Sequence, residues 1–144
     1  MKFFIVILAL LTGAASAAQD LSLTVISNQK GAPAGLKQKE LRSILMGERQ
    51  RWRNGNKIII ALMKTNTPVG KYTSEKVFEM TADELKKYWL ALVFQGKADA
   101  PVFFNSISEL LTFVAENPGA IGIVDQTAPI ASTQVVLVDG KASF

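Results

Sequence analysis

The stretch Lys57-Ile58-Ile59-Ile60-Ala61-Leu62, followed shortly by Thr67-Pro68, decides the fold of this 144-residue chain. The run is apolar on both of its faces and flanked by polar residues, which predicts a strand inside a sheet that helices cover. Thr67 suits an N-cap, and Pro68 suits the first helical position, where the N–H that proline lacks is not needed. The segment therefore predicts a strand that leads through a short polar loop into a helix from Pro68 to about Met80.

Further strands are predicted on both sides of this unit. Residues 21–26 alternate apolar and polar side chains, which is typical of a strand, and residues 120–124 and 135–138 are short apolar runs rich in β-branched residues. Because helical segments separate these strands, we expect an α/β fold with a mixed sheet covered by helices.

Three more helices are predicted from apolar spacing and from their end signals. Leu41, Ile44 and Leu45 share one helical face, and Gly47 suits the residue after that helix. The segments Thr81–Glu84 and Ser106–Glu109 each have the spacing of a capping box, in which a hydroxyl and a carboxylate three residues later bond each other's backbone amides. The second of these helices should stop near Asn117, before Pro118.

The N-terminus has the order of a secretory signal peptide. Lys2 precedes an apolar run that is shorter than a membrane span needs, and the small residues Ala15-Ser16-Ala17 provide a cleavage box. We therefore predict a signal peptide at residues 1–17 and a single α/β domain at residues 18–144. The chain is therefore expected to be exported.

Composition excludes several classes of function. The chain has no cysteine and no histidine, so disulfides, thiolate catalysis and the usual transition-metal ligands are absent, and we expect no metal, no cofactor and no enzymatic activity. Ser27 and Lys30 have the spacing of a Ser-x-x-Lys acylase motif, but a spacing this common arises by chance. A basic stretch that includes Arg49, Arg51 and Arg53 lacks the aromatic series of a nucleic-acid surface, so no nucleic acid is expected as a partner.

Five motifs follow one another along the chain in a characteristic order. They are Leu41–Gly47, Trp52 with Asn54-Gly55, Tyr88-Trp89, Phe94–Lys97 and Asn117–Gly122. The series resembles the second lobe of the periplasmic phosphate-binding proteins of ABC transporters, and it is more similar still to their short, single-lobe exported relatives. The resemblance implies one lobe of a type II periplasmic-binding-protein (PBP) fold and a location in the periplasm.

The resemblance also implies where an anion would bind. In the two-lobed family, hydroxyls, backbone N–H groups and a helix N-terminus converge on the oxyanion at a Ser-Gly-Thr segment that follows a strand. Here that place is residues 64–71, where Thr67 keeps a hydroxyl but Pro68 and Val69 replace glycine and threonine. Proline cannot donate an N–H and valine has no hydroxyl, so at least two of the family's donors are missing.

Two functions follow from this interpretation. The first is a non-enzymatic exported solute-binding or accessory protein for phosphate or another small oxyanion, working with a membrane transporter. The second is an envelope protein–protein interaction module that has lost ligand binding. A single lobe offers a shelf and not a closed cleft, so a dimer in which the second copy supplies the other wall remains an alternative. The residues predicted to face the ligand crevice are Ser27, Asn28, Thr65, Asn66, Thr67 and Lys71.

Overall fold

The computed structural model describes residues 21–130 and 132–144. The predicted signal peptide at residues 1–17 lies outside this range, and within it no helix combines the length and the apolar character that crossing a membrane requires. Ten helices and strands follow one another along the described chain. They are β1 (Leu23–Ser27), β2 (Gly35–Leu36), α1 (Gln38–Leu45), β3 (Ile59–Met63), α2 (Pro68–Lys76), α3 (Ala82–Phe94), β4 (Val102–Phe104), α4 (Ile107–Glu116), β5 (Ala120–Asp125) and β6 (Gln134–Val138).

The strands form one mixed sheet in the order β2-β6-β1-β5-β3-β4. Strand β1 runs antiparallel to both of its neighbours, β5 and β6, whereas the pairs β2–β6, β3–β5 and β3–β4 are parallel. The predicted α/β class and mixed, helix-covered sheet are therefore confirmed. Strands β2 and β4, of two and three residues, were not predicted because such short segments carry no detectable periodicity.

Helices lie on opposite faces of the sheet near its β4 edge. The crossover from β3 to β4 passes through α2 and α3, and the crossover from β4 to β5 runs the other way through α4, so right-handed connections require opposite faces. The side chains of β4 agree, since Phe103 faces α3 while the Phe104 ring packs against Phe113 of α4, with ring centroids 5.1 Å apart. Thus α2 and α4 start at the carboxyl ends of neighbouring parallel strands and leave on opposite faces. This is where ligands bind in open α/β sheets.

The caps show which helix ends the sequence predicts well. Thr81 and Glu84 form the complete predicted capping box. Helix α1 ends at Leu45, and Gly47 follows it with a left-handed φ of +75°, as predicted. At Ser106 the hydroxyl accepts the amide of Glu109, and the described hydrogen bonds include no return bond from the Glu109 carboxylate. Only half of the second predicted box is therefore formed.

The helix predicted to reach Met80 is shorter than expected, because α2 ends at Lys76. The next residues leave the helix so that Phe78 can enter the core, where it is almost fully buried. Glu79 takes a left-handed conformation with φ +55°, and the amide of Met80 donates back to the carbonyl of Ser74 at 3.0 Å. Burial of one aromatic ring thus outweighs the helical preference of the segment.

Candidate functional site

The connection from β3 to α2 is a tightly capped helix N-terminus. The Thr67 hydroxyl accepts the amide of Gly70 at 3.1 Å and donates its own proton to the carbonyl of Lys64 at 2.6 Å. The backbone N–H of Thr67 donates to the same carbonyl at 2.9 Å. Because a hydroxyl has a single proton, Thr67 has none left to donate to a ligand.

Three backbone N–H groups at this connection have no hydrogen-bond acceptor within the described residues. Within residues 21–130 and 132–144, no acceptor is hydrogen-bonded to the N–H of Thr65, Asn66 or Val69. The helix contributes about half a positive charge at the same end. The side chains of Lys64 and Lys71 are exposed nearby. The connection therefore combines N–H donors with positive charge, as an oxyanion requires.

Gly70 fixes the position of these amides. A Cβ atom on Gly70 would lie 1.9 Å from the carbonyl oxygen of Lys64 and 2.5 Å from that of Met63. No side chain fits in this space, so the first turn of α2 lies directly against the end of β3. The loop that carries the free amides is consequently held by backbone contact on the side of the helix.

Ser27 and Asn28 lie at the end of β1 that is level with the start of β3, so the prediction that they face the same crevice as Thr65 is wrong. Ser27 pairs with Ile121, which in turn pairs with Ile60 at the start of β3. Thr65 follows Ile60 by five residues, which places it roughly 15 Å further along the strand direction. The error has one cause, namely that β1 runs antiparallel to β5 and so ends where β3 begins.

The polar groups of Ser27 and Asn28 are already occupied. The Asn28 amide nitrogen donates to the carbonyls of Val114 and Ala115, both at 2.9 Å, and so satisfies the last turn of α4. Its side-chain oxygen accepts the amide of Lys30, and the Ser27 hydroxyl accepts from the Gln134 side chain at 2.9 Å. Both residues are buried and bind the protein itself.

An apolar groove opens beside the free amides. It has a volume of about 660 Å³ and lies between α3 and β4, and Lys64, Thr65 and Asn66 are among the residues that line it. Its walls are mainly apolar side chains, and Leu90 is 54% exposed there. Sequence patterns did not reveal this groove. The residues along its walls are Ala82, Asp83, Leu85, Lys86, Trp89, Leu90, Val93, Ala100 and Phe103.

Trp89 lies beneath the groove with an unpaired donor. The residue is only 4% exposed, and its indole Nε1 has no hydrogen-bond acceptor within the described chain. The benzene edge of the ring faces Gly47, where an added Cβ would lie 3.1 Å from Cη2. The neighbouring Tyr88 hydroxyl donates to the carbonyl of Met46, and burial, together with the charge of Glu48, raises the pKa of Tyr88 above its usual value.

The charges at the groove are predominantly positive. Lys64 and Lys86 line it together with Asp83, and all three side chains are exposed. In the structure as described, the ion pairs are Arg42 with Glu79 and Lys57 with Asp99, and neither pair includes a residue of the groove. Three or more acidic side chains do not come together anywhere in the described ranges to form a metal site.

Comparison with known proteins supports the fold. A scan of the sequence against protein-family models finds no match, and a search of curated proteins finds none either. Solved structures do match. A receptor for ABC-type phosphate transport from Vibrio cholerae is 17% identical, with a TM-score of 0.66 over 83% of this chain and 46% of its own.

Two further structures give the same result. A protein described as a phosphate ABC transporter substrate-binding protein from Clostridium perfringens, solved with bound phosphate, is 17% identical, with a TM-score of 0.65 over 84% of this chain and 46% of its own. The PstS protein of Borrelia burgdorferi is 18% identical, with a TM-score of 0.61 over 84% of this chain and 48% of its own. The chain thus spans about half the length of the structures it matches, and its fold is that of one lobe of a periplasmic binding protein, as the resemblance predicts.

Proposed function

We propose that this protein is a non-enzymatic solute-binding or accessory protein that holds a small oxyanion, such as phosphate, at the connection from β3 to α2. One observation carries the proposal: the amides of Thr65, Asn66 and Val69 have no acceptor within the described residues, at a helix N-terminus. Preorganised backbone donors at the positive end of a helix favour an anion without further rearrangement.

Side chains around the connection fit the same ligand. Thr65 and Asn66 carry polar groups next to the free amides, and Lys64 and Lys71 supply positive charge. Thr67 acts in this proposal as the cap that fixes the loop. The sequence has no histidine and no cysteine, so neither an imidazole base nor a thiolate nucleophile is available, which fits a binding role.

Export and partnership belong to the same proposal. Residues 1–17 would direct the chain to the periplasm, and residues 18–144 would form the single binding domain. The similar structures are described as components of phosphate ABC transport, so a membrane transporter is the proposed partner. Because one lobe leaves the anion partly open to water, we expect weaker binding than a closed two-lobed cleft provides.

Calorimetric titration tests the oxyanion site directly. We expect measurable heat on titrating the protein with millimolar phosphate. Lys64→Gln and Lys71→Gln should each weaken the affinity for phosphate about threefold, since an exposed charge contributes less than about 1 kcal/mol. Lys39→Gln is the matched control, because Lys39 is exposed on α1 and distant in sequence from the site. Absence of heat and of any thermal shift with phosphate, sulfate and acetate would remove the oxyanion role.

Thr67 distinguishes the cap from the ligand contact. We expect Thr67→Ala to lower the free energy of unfolding by about 1 kcal/mol, the usual cost of a lost N-cap. Thr67→Ser keeps the hydroxyl that Gly70 and Lys64 bind, so it should restore most of that stability. Urea denaturation measures both variants, and equal stability of Thr67→Ala and the parent protein would contradict the capping role.

The second candidate function, a docking module for another envelope protein, rests on a separate observation. Phe94 is 92% exposed, and Leu90 and Val93 of the same helix are exposed as well. Contiguous apolar side chains of this kind mark interaction surfaces. Affinity purification from the envelope separates the two candidates, because a stoichiometric protein partner retained without any oxyanion favours docking.

A further inference from the structure

We propose that the ligand of this site is an amphiphilic anion: a free, single-chain alkyl or aryl phosphate or carboxylate whose head binds the β3–α2 amides and whose apolar body occupies the groove. The inference rests on the proposed oxyanion site and adds the class of ligand. Inorganic phosphate has no apolar part that could contact the walls of the groove.

Continuity of the two surfaces is the first argument. Lys64, Thr65 and Asn66 belong to the loop that carries the free amides, and they also line the groove. A ligand bound through its charged head at this loop would therefore have apolar walls directly beside it, from Leu85 to Phe103. An anion with no apolar part leaves those walls facing water.

Size is the second argument. The 660 Å³ of the groove falls within the 300–1,000 Å³ that is typical of small-molecule sites, whose linings are mostly apolar with a few polar groups that fix orientation. The groove fits this description, because its polar lining consists of the three loop residues together with Asp83 and Lys86.

The buried indole of Trp89 adds an independent observation. Its Nε1 is a donor without an acceptor in the described chain, although buried tryptophan usually has a partner. The benzene edge of the ring is fixed against Gly47, so the edge that carries Nε1 is turned away from that glycine. Trp89 is also one of the residues that line the groove, so the unpaired donor belongs to a residue of its wall.

Charge and shape favour this occupant over a second copy or a bilayer. The groove carries two exposed lysines, Lys64 and Lys86, and one aspartate, Asp83, so a two-fold dimer across it would bury an excess of positive charge, which opposes association. The exposed edge of the sheet is also a poor template, because β4 has three residues and follows Pro101, which has no N–H. A bilayer would engage the protruding Phe94, which does not line the groove, and would leave the concave surface empty.

A chain-length series provides the test. The purified protein is titrated with inorganic, methyl, butyl and octyl phosphate below the micellar range. Octanol, with an uncharged head group, and octylamine, with a positively charged one, are titrated for comparison. We expect the affinity to rise about fourfold for each methylene that enters the groove, and octyl phosphate to bind at least tenfold more tightly than octanol. An affinity that is flat along the phosphate series overturns the amphiphile but leaves the oxyanion site standing. Equal binding of octanol and octyl phosphate would instead remove the oxyanion site.

Leu90→Glu separates the groove from the loop. Leu90 lines the groove but is more than half exposed, so the variant should fold, and we expect it to weaken octyl phosphate at least tenfold while inorganic phosphate changes less than twofold. Phe94→Glu is the matched control on the same helix and should change neither affinity. If the parent protein self-associates, Leu90→Glu abolishes this association and octyl phosphate does not change it, the groove binds a second copy and the proposal is overturned. Binding to phosphatidylglycerol vesicles that depends on Phe94 and not on Leu90 would overturn it in favour of a membrane surface.

Discussion

Gly70→Ala is expected to lower the free energy of unfolding by about 3 kcal/mol, at the upper end of the cost of overpacking. The added methyl group would lie 1.9 Å from the carbonyl oxygen of Lys64, far inside van der Waals contact, and the obstacle is backbone rather than a mobile side chain. Relief requires α2 to move away from the end of β3. That movement would disturb the Thr67 cap and the amides of the proposed site together.

Urea denaturation followed by tryptophan fluorescence measures this effect. Gly35→Ala is the matched control, because a Cβ there meets its nearest atom, the carbonyl oxygen of Leu137, at an ordinary 3.6 Å and the backbone of Gly35 is not left-handed. We expect the control to stay within about 1 kcal/mol of the parent protein. If Gly70→Ala is equally mild, α2 does not approach β3 as closely as described.

The amino-acid sequence predicts local structure in this protein better than it predicts spatial relations. The start of α2 at Pro68 and the capping box at Thr81 follow from chemistry within four residues, and the structure forms both. The direction of β1 depends instead on pairing with β5, which lies about a hundred residues later. No pattern within β1 encodes that direction, and for this reason the sequence predicts Ser27 and Asn28 at the wrong end of the strands.

The same distinction between local structure and spatial relations applies to the candidate site. The loop from Lys64 to Thr67 could be located from the sequence, because a strand, a polar loop and a Thr-Pro pair follow one another directly. The groove could not, since it exists only where α3 faces Phe103 of β4, and β4 is too short to be predicted. Leu90 and Val93 extend the apolar face of α3 beyond its buried stripe, and only the structure shows that they line a groove.

The two ends of β3 and its neighbouring strands therefore have different roles. At the end that leads into the β3–α2 loop, amide donors have no acceptor within the described chain and polar side chains are exposed. At the other end, Asn28 binds the end of α4, and the carbonyl of Gly119 accepts both Trp52 Nε1 and the amide of Ile59. These polar groups are satisfied within the protein. Substitutions there should act on stability, whereas substitutions of the exposed lysines Lys64 and Lys71 beside the loop should act on binding.

Trp52→Ala tests the end of the sheet where β3 and β5 begin, and it is expected to cost about 4 kcal/mol of unfolding free energy, within the range found when a buried tryptophan is truncated. Trp52 is 2% exposed, and its Nε1 donates to the carbonyl of Gly119 at 2.9 Å, which joins the loop before β3 to the start of β5. Trp52→Phe keeps most of the packing but loses this hydrogen bond, so it should lie between the parent protein and Trp52→Ala. Phe94→Ala removes an exposed aromatic ring and should change stability by less than about 0.5 kcal/mol. Trp89 remains as the fluorescent probe in every variant, and equal effects of Trp52→Ala and Phe94→Ala would contradict the burial of Trp52.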